Sequence, residues 1–165
     1  KHIEFQITGG PLDEVSSAYL ATMPASVKSM VRHLGRVELD QVTGLSGREQ
    51  ILQRMRACDV LLLLHGDDAM CAEYIPSKMY EYLWMQRPIL ATAHQNPQMS
   101  DILKNFGCRV VESNTQTLDE VSQELADHLN HLLVQWAQTG LLDLDMETPY
   151  TTKASVTQML GWILE

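Results

Sequence analysis

Two carboxylates stand eight residues apart in the stretch Glu73-Tyr-Ile-Pro-Ser-Lys-Met-Tyr-Glu81, with Ser77 and Lys78 between them. Pro76-Ser77 predicts a helix start with Ser77 as the cap, the helix running to about Met85. The first turn of a helix carries N–H groups without intrahelical partners and the positive end of the macrodipole. A phosphate or diphosphate is stabilised there, and Lys78 adds a formal positive charge. Glu81, one turn in, suits a pair of vicinal hydroxyls such as those of a ribose. Glu73, in the preceding loop, suits hydroxyls of a second sugar. A plainer reading stands beside this one: Glu81 steadies the helix start and Glu73 is a solvated loop charge.

Other residues with chemical potential are weaker candidates. His65 and His94 fall at the carboxyl ends of predicted strands, where each would meet a ligand or serve packing. His128 and His131 have chelating i, i+3 spacing, but no third ligand lies near them in sequence. A solvated face is expected there, and no metal site. Asp67-Asp68 follows an apolar run, an arrangement shared with phosphoacceptor receiver domains, but no strand-end lysine accompanies it. Arg48, Arg54 and Arg56 read as a solvated basic face, and the methionines Met55, Met79, Met85 and Met99 as core.

The elements that must position these residues follow from periodicity. Strands are predicted at His2–Thr8, Val31–Val37 (with Gly35 inside), Val60–Leu64, Pro88–Thr92 and Cys108–Val111. The unbroken run Val60–Leu64 predicts burial on both faces, as in a parallel sheet. Helices are predicted from Asp13 to Met23, behind a Ser46/Glu49 capping box to Ala57, from Gln98 to Phe106, behind a second box at Thr117/Glu120 to Gly140, and from Thr151 to Leu164. Asn96-Pro97 reads as punctuation. Strands alternating with helices predict an α/β fold, one Rossmann-like, doubly wound parallel sheet across residues 1–165, with a C-terminal loop and helix over 141–165. Ligands of such sheets sit beyond the carboxyl ends of the strands, here Gly9-Gly10, 36–44, 65–75 and 93–96.

Composition narrows the functions. The 165 residues carry 12 Lys+Arg against 21 Asp+Glu, a net charge of −9, which excludes a dedicated nucleic-acid or anionic-membrane binder. Hydrophobic residues make up 45 % and charged residues 20 %, the balance of a folded globule. Three cysteines (Cys58, Cys71, Cys108) without C-x-x-C spacing read as thiols in a reducing, cytoplasmic compartment.

The run Ala57-Cys-Asp-Val-Leu-Leu-Leu-Leu-His65, followed by Ile75-Pro-Ser-Lys-Met-Tyr-Glu-Tyr-Leu-Trp-Met-Gln-Arg-Pro-Ile-Leu-Ala91, resembles the C-terminal, donor-binding domain of retaining glycosyltransferases of the GT-B fold, the group 1 or "family four" transferases. Glu73 and Glu81 match that family's pair of glutamates eight residues apart. Val31-Arg-His-Leu-Gly-Arg-Val37 resembles the strand before its nucleotide-base loop.

The resemblance implies roles. Glu81 binds the ribose hydroxyls, and Glu73 is the catalytic-site contact to the transferred sugar. Ser77 and Lys78 lie near the diphosphate, and Gly35 and Arg36 lie beside the base; His65, by its place at a strand's carboxyl end rather than by the resemblance, joins the substrate-binding candidates. The donor is a nucleotide-diphosphate sugar, with no cofactor and no metal. The acceptor, a sugar or lipid-linked sugar, is held by an N-terminal domain, with the protein peripheral to the inner face of the membrane. The family's domain opens with a strand and helix ahead of the unit seen here, so the chain is expected to be a fragment, inert by itself. Its His2–Thr8 and Val60–Leu64 edges are expected to close on one another or to be filled in a dimer. Two rivals remain: a non-hydrolysing nucleotide-sugar epimerase on the same fold, and a non-catalytic Rossmann-like regulatory or interaction module.

Overall fold

The computed structural model describes residues 3–140, 144 and 148–164. Residues 1 and 2 of the first predicted strand, and most of the loop opening the 141–165 segment, lie outside the described residues. The chain divides into two compact units, residues 1–54 and 55–165.

In the first unit, β1 (Phe5–Thr8) and β2 (Val31–Gly35) form a two-stranded parallel sheet with Phe5 opposite Val31. The chain crosses between them through α1 (Glu14–Thr22) and a short α2 (Ala25–Lys28), which has no apolar period and was not foreseen. Asp13 caps α1, its carboxylate accepting the Ser16 N–H at 2.8 Å. Strand β2 ends two residues early because Gly35 turns to φ +70, outside the strand region. The Ser46/Glu49 capping box forms as expected: Ser46 N–H donates to Glu49 Oε2 at 2.8 Å, and Glu49 N–H to Ser46 Oγ at 3.2 Å. It opens α3 (Gly47–Ala57).

In the second unit, β3 (Leu61–Leu63), β4 (Ile89–Ala93) and β5 (Arg109–Glu112) are parallel in the order β3-β4-β5. Helices α4 (Ser77–Trp84) and α5 (Pro97–Asn105) make the crossovers, α6 (Leu118–Thr139) follows β5, and α7 (Thr152–Leu164) ends the chain. The core gathers Met79 and Leu83 of α4, Ile89 of β4, Met99 and Leu103 of α5 and Val111 of β5, all fully buried. The Thr117/Glu120 box caps α6, and Gly140, at φ +80, stops it. Trp136 Nε1 donates to Asp59 Oδ1 at 2.9 Å, tying the end of α6 to the entry of β3. Trp84 Nε1 donates to the Tyr150 carbonyl at 2.7 Å, and the Tyr150 ring packs on Tyr80.

The α/β class with parallel strands stands, but two features differ from the sequence reading. Among the described residues the strands hydrogen-bond as a two-stranded and a three-stranded sheet rather than one of five. Within each sheet the paired strands are consecutive in sequence and joined by a helical crossover, and an apolar pattern marks a strand without naming its partner. Burial on both faces holds for every residue of β4 but not for β3, where Leu61 and Leu63 are buried while Leu62 and Leu64 are 39 % and 66 % exposed. Cover on one face of β3 and not on the other accounts for that alternation.

Candidate functional site

The carboxyl end of β3 leads through His65 and a loop into α4. Pro76, with φ −64 and ψ 134, is the N-cap of α4, and Ser77 is its first residue rather than its cap. Proline already supplies the extended geometry of a cap position, and its side chain makes no cap hydrogen bond to the helix start. Met79 and Leu83 drive one face of α4 into the core and thereby set its rotation. Lys78 and Glu81, spaced i, i+3, share another face. Ser77 and Lys78 are exposed, Glu81 is half-buried, and Glu73 is exposed four residues ahead of the helix. The structure therefore keeps Glu73, Ser77, Lys78 and Glu81 together on one strand-to-helix connection.

That connection is fixed to the neighbouring β4–α5 connection. The hydroxyl of Thr92 accepts the His65 N–H at 2.9 Å and donates to the His65 carbonyl at 3.3 Å, both buried. Asp68 Oδ1 accepts the N–H groups of Met70 and Cys71 at 2.9 and 3.2 Å, so this aspartate shapes the loop rather than joining an acidic cluster. Asn96, read in the sequence as punctuation, caps α5 and reaches the same loop. Its position just before a proline at the start of a helix was the available signal.

His65 is 8 % exposed at the end of β3. Its Nδ1 accepts the backbone N–H of His94 at 3.3 Å, so the neutral ring carries its proton on Nε2. Nε2 is buried and has no hydrogen-bond partner among the described residues. Burial lowers the pKa of this histidine, and nearby His94 pulls the same way; the Tyr74 backbone and Asp68 oppose them in part. The Tyr74 ring meets the imidazole edge-on at 5.8 Å between centroids. His94 turns its own Nδ1 to the Ser113 carbonyl at 3.0 Å.

Gly35 and Arg36 belong to the first unit. Gly35 accepts the Gly9 N–H on its carbonyl at 3.0 Å, and Arg36 is exposed. Among the described residues no three His, Cys, Asp or Glu side chains gather as a metal site, and His128 pairs instead with Glu124 at 3.8 Å. The three thiols are free, with Cys71 and Cys108 buried; burial pushes Cys108 up to about 11, an inert thiol at neutral pH. Among the described residues no helix is long and apolar enough to cross a membrane.

No family model, curated protein or solved structure matches this chain.

Proposed function

We propose that this chain binds the donor of a retaining, nucleotide-sugar-dependent glycosyltransferase of the GT-B type, acting in polysaccharide or glycoconjugate synthesis. One observation carries the reading. Beyond the carboxyl end of a parallel strand, α4 opens behind Pro76, whose side chain makes no cap hydrogen bond, with Lys78 and Glu81 in its first turns and Glu73 just ahead. In this reading the diphosphate sits against the opening amides of α4 and Lys78, whose fixed dipoles and charge stabilise the negative charge of the leaving group. Glu81 accepts from the ribose hydroxyls. Glu73 accepts from hydroxyls of the transferred sugar and orients its anomeric carbon. The finer fold assignment, a Rossmann-like half of a GT-B enzyme, belongs to the same proposal, as do an acceptor bound by a separate domain and a cytoplasmic setting beside the membrane.

Calorimetric titration with UDP, GDP and ADP, and with UDP-glucose, GDP-mannose and ADP-glucose, tests it. Binding of one diphosphate, tightened by its sugar, is the expected result and names the base. Silence toward all six, here and in the full-length protein, overturns the reading and leaves a non-catalytic module.

A further inference from the structure

Asn96 is 95 residues into the chain and buried, and every hydrogen of its side-chain amide is used. Oδ1 accepts the Met99 N–H at 2.9 Å, capping α5. Nδ2 donates to the Cys71 carbonyl at 3.1 Å and to the Tyr74 carbonyl at 2.9 Å. The network fixes which end of the amide is which, because an N–H must face oxygen and two carbonyls must face nitrogen. The two carbonyls it holds bracket Ala72 and Glu73. One side chain thus clamps the backbone on both sides of the glutamate.

The support for the clamp is itself rigid. Gln95 takes the left-handed conformation at φ +47 and donates its N–H to Asn114 Oδ1 at 2.6 Å, while His94 Nδ1 meets the Ser113 carbonyl. From the other side, Glu73 N–H donates to the Met70 carbonyl at 3.1 Å, and Asp68 braces the turn. Helix α5 is anchored by the fully buried Met99 and Leu103. A side chain on this platform transmits the position of the core to the loop.

We infer that Asn96 is a positioning residue for Glu73, holding the sugar-facing loop ready before the donor arrives. This rests on the donor-binding reading above. Preorganisation matters because ordering a loop on binding consumes affinity that a loop already ordered retains. The nucleotide half of the site, on α4, does not depend on the clamp, and the sugar half does.

The test uses Asn96→Ser and Asn96→Asp, both good N-caps for α5, so the helix start survives while both donors to the loop are lost. Asp also turns a carboxylate toward two carbonyls. UDP, GDP and ADP and the same three conjugates are titrated into the parent chain and both variants. Hydrogen exchange follows the Glu73 amide alongside those of β4 and β5. Each variant is expected to bind the diphosphate within about twofold of the parent and to lose about tenfold for the conjugate, the scale of one hydrogen bond to a charged group. Exchange is expected to rise at Glu73 and not in the strands. An unchanged gain from the sugar, or an unchanged Glu73 amide, overturns the role of Asn96 while leaving the donor site standing. Equal loss for diphosphate and conjugate, or exchange rising throughout, makes Asn96 a general stability residue and overturns the proposal. Where this chain is silent the same series is run in the full-length protein, and silence there overturns the donor-binding reading and this inference with it.

Discussion

The backbone N–H of His94 ends on Nδ1 of His65, 3.3 Å away, which makes one buried imidazole the acceptor that joins the ends of β3 and β4. Protonation of His65 fills that lone pair and breaks the bond. The folded-state pKa is lowered, chiefly by burial, so the unfolded chain binds the extra proton first as pH falls. The stability linked to His65 is complete above its ordinary value of about 6.5 and is lost as pH falls through the lower folded value. Urea midpoints are expected to fall as the pH drops below about 6.5, ahead of the carboxylates. Among those carboxylates Glu112, held down first by Lys104 and then by Ser100, and Glu120, held down by the Thr117 backbone and hydroxyl, stay ionised into more acid solution. His65→Gln, which cannot titrate, is expected to flatten the curve in that window; an unchanged slope assigns the effect elsewhere.

Glu81 and Glu73 are expected to separate by the kind of loss they show. Glu81→Gln weakens binding of the free nucleoside diphosphate by about 1–3 kcal/mol, the scale of a hydrogen bond to a charged group. On the proposed reading, Glu73→Gln leaves that affinity alone and lowers the rate of sugar transfer by the full-length protein. Calorimetry on each variant, with a transfer assay beside it, reads the two effects. A loss confined to binding in Glu73→Gln contradicts its assignment to the transferred sugar.

Two glycines of the first unit are needed for different reasons, and alanine distinguishes them. At Gly35 an added Cβ meets nothing within 4 Å, but φ is +70. Gly35→Ala therefore costs only left-handed strain, about 1–2 kcal/mol, and Gly35→Asn recovers part of it. At Gly47 the backbone is unexceptional, but a Cβ would stand 2.1 Å from the Val37 carbonyl oxygen. Gly47→Ala must displace backbone and unseat the Ser46/Glu49 cap, so its unfolding midpoint is expected to fall further than that of Gly35→Ala.

In the second unit, Leu103 on α5 is wholly buried. Leu103→Ala is expected to cost about 2–5 kcal/mol, the transfer term plus the cavity left behind. Denaturant unfolding measures it. The same substitution at Val134, 55 % exposed on α6, should move the midpoint little.

How much of this was legible in the sequence depended on distance along the chain. Capping boxes at Ser46/Glu49 and Thr117/Glu120, the stop at Gly140 and the grouping of Glu73, Lys78 and Glu81 are local, and the structure forms the caps, the stop and the grouping where the spacing placed them. Strand positions followed from apolar runs. Their pairing did not, because β3 and β4 meet across a loop and a helix that carry no record of register. Short α2 escaped because four residues hold no period. Leu62 and Leu64 looked like buried residues because a run of leucines does not reveal whether both faces of its strand are covered. Ser77 looked like a cap, but the preceding proline had already taken that place. Asn96 was invisible as a site residue because its partners, Cys71 and Tyr74, lie 25 and 22 residues away.

The loop from Gly66 to Tyr74 exposes most of its side chains, yet Asp68 and Asn96 hold its backbone and Thr92 holds that of His65 just before it. Side-chain exposure attracts a protease, but cleavage requires the backbone to be drawn out into the enzyme's cleft. Met70 and Tyr74 therefore offer chymotrypsin a visible but unusable target. The cut there is expected to come no faster than the opening of β4 and α5 themselves, so the apparent weak point on the surface should have the lifetime of the core.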